Sequence, residues 1–323
     1  MTLDKENELL NDAIRATSEW MEIMPAFVEK DYWTSKILQN LSNSAYGNKI
    51  VFKGGTSLSK GYGLVSRFSE DIDLAVLAEN LTGNQIKTLM SNVSKEITIG
   101  LNETVLDGVT SKGSRYRKML FSYPTMFNKN KSENRAISEY VVLEINSFAN
   151  PYPYERITME SFITSFMRYR GMTDMIEKYD MGTFELNILD RRRTLTEKLV
   201  SLMRCSMADD YIAKLSSKIR HFYDLHYLLH DSECHRYLES TNFNNDFSAL
   251  LNDDYKRFDN PDGWQQKAVA DSPLINNLHD VWGQLYRVYL RELAALAYKP
   301  IPSQNDIEQS MEEILSYIRN KCM

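Results

Sequence analysis

The chain has 323 residues, a formal net charge of −6, 43% hydrophobic and 25% charged residues. That balance supports a sizeable core and excludes wholesale disorder, and the length leaves room for two domains or for one with a large extension. The apolar runs, such as Leu293 to Tyr298, are far too short to cross a bilayer, and the N-terminus MTLDKENELL carries no apolar signal core.

Three widely spaced cysteines, Cys205, Cys234 and Cys322, suit a reducing cytoplasm and neither a disulfide framework nor a zinc site. A cytoplasmic protein with no membrane segment is the expectation. The acidic charge supplies no global attraction for nucleic acid, so an RNA partner would need a local basic patch. Arg115, Arg117 and Lys118 in SRYRK and the run Arg191–Arg193 are the candidates, with solvated faces of a strand and a helix as the plainer reading of both.

In chain order, residues 3 to 17 and 26 to 43 read as helices, the second with apolar residues at helical spacing in FVEKDYWTSKILQNL. Ile50-Val51-Phe52 reads as a strand running into Gly54-Gly55-Thr56-Ser57 and a short helix through Tyr62. Asp71 to Val76 alternates as a strand does, and residues 82 to 97 suit a surface helix. Further strands are expected at 115–123, 138–147 and 184–189. Beyond Asp190 the pattern turns helical, with helices at 194–207, 211–230, 278–298 and 305–320. The order is a mixed α/β half over residues 1–189 followed by an all-α half over residues 190–323.

The segment VFKGGTSLSKGYGLVSRFSEDIDLAV, residues 51 to 76, carries the chemistry. Two glycines after a strand permit a tight turn and close approach of the backbone to a ligand. Thr56 or Ser57 can cap the next helix, whose N-terminus offers N–H groups to an anion. Asp71 and Asp73, two apart on a strand, project from one face. Two neighbouring carboxylates repel unless a cation lies between them, and hard oxygen donors suit Mg²⁺. Carboxylate-held metal is a recurring device for in-line nucleotidyl transfer. Taken singly, an Asp-x-Asp is more often a solvated strand face and a Gly-Gly only a turn. Their compact order, with apolar Leu74 and Val76 behind the aspartates, favours a functional site.

This block resembles the signature of the AbiEii/AbiGii toxin family, a branch of the DNA polymerase β-like nucleotidyltransferase superfamily. The pattern is carried by Gly54, Gly55, Ser57, Asp71 and Asp73, in the wording GGTSLSK and RFSEDIDL. Residues 56 to 70 make a spacer somewhat longer than the general superfamily pattern. Glu29-Lys30-Asp31-Tyr32-Trp33 is similar to the family's upstream helix, where Tyr32 and Trp33 are expected to pack into the core. Thr196-Glu197-Lys198-Leu199 resembles a second motif, whose lysine contacts nucleotide phosphates. Arg220 to Leu225 (RHFYDL) resembles a later motif, whose aspartate, here Asp224, belongs to the active site. The matched stretches run from about residue 26 to 230.

The resemblance implies an α+β fold: a polymerase β-like domain with a mixed sheet flanked by helices, then an all-α domain. It implies transfer of a nucleoside monophosphate from an NTP to a hydroxyl. Asp71 and Asp73 would hold Mg²⁺ or Mn²⁺, and Gly54, Gly55, Thr56, Ser57 and Lys198 would receive phosphates. Asp224 would shape the acceptor side. A third carboxylate usually completes such a site, and Glu144 in YVVLEINSF is the candidate. The implied partners are an NTP, an RNA acceptor with tRNA among the candidates, and an antitoxin that neutralises growth arrest.

Residue by residue, alternatives stay open. Lys198 can equally be a helical lysine paired with a carboxylate, and Asp224 can form a structural ion pair with Arg220 or His221. Of the five histidines, His226 and His230 stand at i,i+4, a zinc-compatible spacing, but without an HExxH pattern or an evident third ligand they read as a helix-face pair. Two rival functions remain: a nucleotide-binding interaction module without turnover, and a nucleotidyltransferase with a small-molecule, antibiotic-type acceptor.

Overall fold

The structure, a computed structural model, describes residues 2–69, 71–127, 138–148 and 150–321. Cys322 lies outside them; Cys205 and Cys234 are buried free thiols. Contacts divide the chain into two compact units, residues 1–63 with 68–189, and residues 64–67 with 190–323.

The first unit opens with helices α1 (Asn7–Met21) and α2 (Pro25–Asn43). Pro25 sits in the first turn of α2, where its missing N–H costs nothing. Strand β1 (Ile50–Lys53) leads straight into helix α3 (Gly54–Lys60), and β2 (Asp71–Val76) into α4 (Gly83–Ile97). Thr82 and Gln85 form the reciprocal cap that starts α4. Then follow β3 (Asn102–Thr104), β4 (Ser111–Lys112), β5 (Tyr116–Ser122), β6 (Tyr140–Asn146), β7 (Tyr154–Met159), α5 (Phe162–Tyr169), α6 (Thr173–Lys178) and β8 (Phe184–Leu189).

Among the described residues these strands form one eight-stranded mixed sheet in the order β3-β5-β6-β2-β1-β8-β7, with β4 also on β5. β1 runs antiparallel to β2 and parallel to β8, while β6 runs parallel to β2 and antiparallel to β5. Consecutive residues Ile50, Val51 and Phe52 are all fully buried, so both faces of the sheet are covered at β1. The chemistry-bearing segment therefore starts from a fully buried strand.

In the second unit α7 (Arg191–Ser206) is capped by the Asp190 side chain, which accepts from the Arg192 N–H at 2.8 Å. It is followed by α8 (Tyr211–Ser216), α9 (Ile219–His230), α10 (Ser232–Glu239), α11 (Thr241–Arg257), α12 (Pro273–Asn276), α13 (Leu278–Leu296) and α14 (Gln304–Lys321). Leu195, Leu199, Phe222, Leu225, Trp282, Leu285 and Ile314 are buried in its core, and the Phe222 and Trp282 rings stack at 5.3 Å. The short run 64–67 is tied in by Arg67, bridged to Ala297, and by the Ser66 carbonyl, which accepts from the Tyr298 N–H at 3.0 Å.

The expected α+β architecture is what the chain adopts. One expected helix, 211–230, is two: the Ser217 hydroxyl donates back to the Lys214 carbonyl at 2.6 Å, a competing bond that ends α8. Strands β3, β4 and β7 and helices α5, α6, α10, α11 and α12 were not anticipated; apart from α11 they are short, two to eight residues each.

Candidate active site

The turn between β1 and α3 is built around one close approach. Gly54 has φ +82°, and a Cβ at this position would overlap the Asp73 carboxylate, with the carboxyl carbon 3.0 Å away. Only glycine fits both demands. Thr56 Oγ1 donates to the Asp71 carbonyl at 2.6 Å and Ser57 Oγ to the Gly54 carbonyl at 2.8 Å. Both side chains are buried, so their protons stitch α3 to β2 and close the turn on itself. Gly54 and Gly55 remain half-buried at its surface.

Strand register assembles the charged groups. Lys53 on β1 stands opposite Asp73 on β2, Asp73 opposite Glu144 on β6, and Glu144 opposite Lys118 on β5. Paired positions share a face, so the row Lys53, Asp73, Glu144, Lys118 alternates in sign across four strands. Asp71 lies on the same face of β2, opposite Val142. Glu144 is engaged by Lys118 Nζ at 2.8 Å. Burial, and then the charges of Glu144, Asp73 and Asp71, push the Tyr116 hydroxyl well above its ordinary acidity range.

Asp71 and Asp73 are a pair of hard oxygen donors on one face, as a divalent cation requires. Among the described residues, no three His, Cys, Asp or Glu side chains converge closely enough to hold a metal ion. Glu144, the third carboxylate suggested by resemblance, faces Lys118 and Tyr116 in this arrangement.

A second layer holds α3 from behind. Glu29, Lys30 and Asp31, three consecutive charges in the middle of α2, are buried, as are Tyr32 and Trp33. Glu29 accepts from the Thr125 hydroxyl at 2.8 Å and the Met126 N–H at 2.6 Å. Lys30 donates to the Ser138 carbonyl at 2.8 Å and also to that of Tyr140, where β6 begins. Asp31 pairs with Lys60, the last residue of α3, and accepts from the Phe162 N–H at 2.8 Å. Sequence reasoning assigned no role to these three. The available signal was a run of charges where helical periodicity demands apolar residues.

The remaining predicted residues, Lys198 and Asp224, meet in the second unit. Asp224 is fully buried and receives Arg67 through two bonds of 2.7 Å, with Lys198 Nζ at 2.8 Å. Burial alone would raise this carboxyl, but Arg67 and Lys198 outweigh it and hold it far below the usual range. The anticipated ion pair thus exists with different partners, neither Arg220 nor His221. His221 is itself driven towards neutrality by burial, with Lys198 adding to the effect. Arg67, in RFSED, was missed; nothing local marks an arginine whose partner lies 157 residues away.

His226 Nδ1 bonds the Ser310 hydroxyl at 2.8 Å and His230 Nδ1 the His226 carbonyl at 2.7 Å, a helix-face pair. The basic runs are largely engaged too. Arg117 is buried, Arg191 pairs with Asp231 at 3.0 Å, Arg192 with Asp190 and Arg193 with Glu197, whereas Arg115 is exposed.

A mixed sheet that presents Asp-x-Asp beside a glycine turn at the start of a helix defines a nucleotidyltransferase. The chain belongs to the AbiEii family, nucleotidyl transferase toxins of type IV toxin–antitoxin systems, whose family model matches residues 36–313. Its fold is similar to that of MenT4, a nucleotidyltransferase toxin from Mycobacterium tuberculosis H37Rv, with a TM-score of 0.54 and 15% identity over 92% of this chain and 85% of that one. At that identity the likeness speaks for the fold alone. No curated protein sequence matches the chain. Among the described residues no helix is long and apolar enough to cross a membrane.

Proposed function

We propose that this nucleotidyltransferase moves a nucleoside monophosphate from an NTP to a hydroxyl of RNA, tRNA among the candidate acceptors, with Asp71 and Asp73 at the centre of the reaction. The observation that carries this reading is the close approach of Gly54 to Asp73, which sets the backbone of the turn beside that carboxylate. Asp71 and Asp73 would hold a divalent cation, Mg²⁺ or Mn²⁺, whose chemistry is neutralisation of phosphate charge and acidification of the attacking hydroxyl. Gly54 and Gly55 face the leaving diphosphate through backbone N–H groups, and Thr56 and Ser57 keep that turn in shape. The acceptor oxygen bonds to the α-phosphorus, the bond to the bridging oxygen breaks, and diphosphate leaves with the electron pair while the hydroxyl proton passes to water. Glu144, opposite Asp73 on the neighbouring strand, could join Asp71 and Asp73 through the carboxylate oxygen that Lys118 does not engage. Asp224 keeps Lys198 charged and fixed in direction, which suits the phosphate-neutralising part that the resemblance gives it.

On this reading residues 1–189 are the catalytic half and 190–323 a helical half, acting in the cytoplasm. A cognate antitoxin counters the growth arrest that follows from a catalytic attack on RNA. The test is incubation with each α-labelled NTP, total RNA and Mg²⁺ or Mn²⁺. Label on RNA with wild type and none with Asp73→Asn is the expected result; NTP binding without transfer to any acceptor would reduce the protein to a binding module.

A further inference from the structure

Phe148 lies two residues beyond β6 and is 44% exposed, its ring stacked on that of Tyr116 with centroids 6.0 Å apart and planes 21° from parallel. Tyr116 opens β5 opposite Asn146. Through that register Tyr116 shares a sheet face with Glu144, which in turn stands opposite Asp73. Arg115, next in the chain, is exposed. An aromatic pair with one open face beside a cation is the construction that binds unpaired bases: stacking supplies affinity for any base and the cation meets the backbone.

Strand order decides which base. Across the sheet the sequence of features is the α3 turn at β1, Asp71 and Asp73 on β2, Glu144 on β6, then Tyr116 on β5. The turn and the aromatic pair therefore flank the carboxylates from opposite sides. In an in-line displacement the attacking and leaving oxygens stand on opposite sides of the phosphorus. If diphosphate departs towards Gly54 and Gly55, the attacking hydroxyl arrives from the side of Tyr116 and Phe148. We infer that Tyr116 and Phe148 form a stacking step for the 3′-terminal base of a single-stranded RNA acceptor, an inference that rests on the reading of Asp71, Asp73 and the glycine turn given above. The pair is a specificity element for the acceptor, and the donor NTP is held elsewhere.

The test uses the full chain and two 5′-labelled single-stranded RNA oligonucleotides, identical except that one ends in an ordinary 3′ nucleotide and the other in an abasic ribose. Binding is read by fluorescence anisotropy without NTP. Wild type is expected to bind the base-bearing end about tenfold more tightly, the scale of one base–aromatic stack. Phe148→Leu, which keeps apolar bulk at an exposed position but removes the π face, should bring the ratio near one without changing affinity for the abasic oligonucleotide. Phe148→Trp should restore the preference. A ratio near one in wild type, or one undiminished in Phe148→Leu, overturns the inference. So does a raised KM for NTP in Phe148→Leu with the RNA ratio intact, which would assign the ring to the donor base. Failure of the underlying reading is seen separately: Asp73→Asn should lose transfer yet keep the binding ratio, and transfer at the wild-type rate would remove the site itself.

Discussion

Gly54 and Asp73 stand so close that a methyl group does not fit between them: a Cβ on Gly54 would coincide with the Asp73 carboxylate, with the carboxyl carbon 3.0 Å away, and the φ of +82° is itself unfavourable for any other residue. Gly54→Ala therefore carries a backbone cost of roughly 1–2 kcal/mol and must also displace the aspartate. The expected outcome is at least a tenfold loss in kcat/KM for NTP, with far-UV circular dichroism unchanged. Wild-type kinetics in Gly54→Ala would show that the position of Asp73 does not matter.

Asp71→Asn and Asp73→Asn should each lower transfer by more than about a hundredfold, the scale on which a single charge-stabilising group acts in a water-excluded site. Far-UV circular dichroism should be unchanged in both, because each substitution keeps the size and shape of the side chain. Chelation of divalent ions should abolish wild-type transfer, with Mg²⁺ or Mn²⁺ restoring it. Transfer that survives chelation would sink the two-aspartate metal assignment.

Asp224 should behave differently, because it joins two buried cations. Asp224→Asn removes the carboxylate that both Arg67 and Lys198 engage and is expected to cost about 3–5 kcal/mol of stability, read from urea midpoints at pH 7. Lys198→Met should cost less, since Arg67 keeps its two-bond contact with Asp224. The carboxyl is held far below its ordinary value of 3.8, so its stabilising contribution is complete above that pH and is lost as pH falls through the lower folded value. The gap between wild type and Asp224→Asn should thus be constant from pH 7 to 5 and narrow below about pH 4. A gap that widens on acidification would contradict the ion-pair account.

The pair Asp31 and Lys60 anchors the far end of α3, so Lys60→Met should destabilise the protein by about 3 kcal/mol and raise KM for NTP. Asp31→Asn with Lys60→Met should cost less than the sum of the single changes by about 0.5–3 kcal/mol, measured as a double-mutant cycle. Strict additivity would mean the two charges do not act as a unit.

Much of the candidate site was legible because it is local. Gly54, Gly55, Asp71 and Asp73 fall within one short segment, and their meaning depends only on a strand, a turn and a period of two. The same locality made β1, β2, α4, β5, β6 and β8 readable. Helices α5 and α6 were not, since eight and six residues are too short for a helical period to stand out, and β7 places Glu155 on the same face as Ile157 and Met159.

What the chain could not reveal by itself is who partners whom across long separations. Lys198 and Asp224 were identifiable as residues of interest, but Arg67 completes their cluster from 157 positions away. The EKD run in α2 had no assigned role, and the fold brings Thr125, Ser138, Lys60 and Phe162 around it. Glu144 reads as a candidate third carboxylate, and the register sets Asp73 opposite it on one side and Lys118 on the other. Backbone periodicity follows from neighbouring residues and is written locally, whereas a buried charge takes whichever counter-charge the packed fold delivers, and only the tertiary structure decides which one that is.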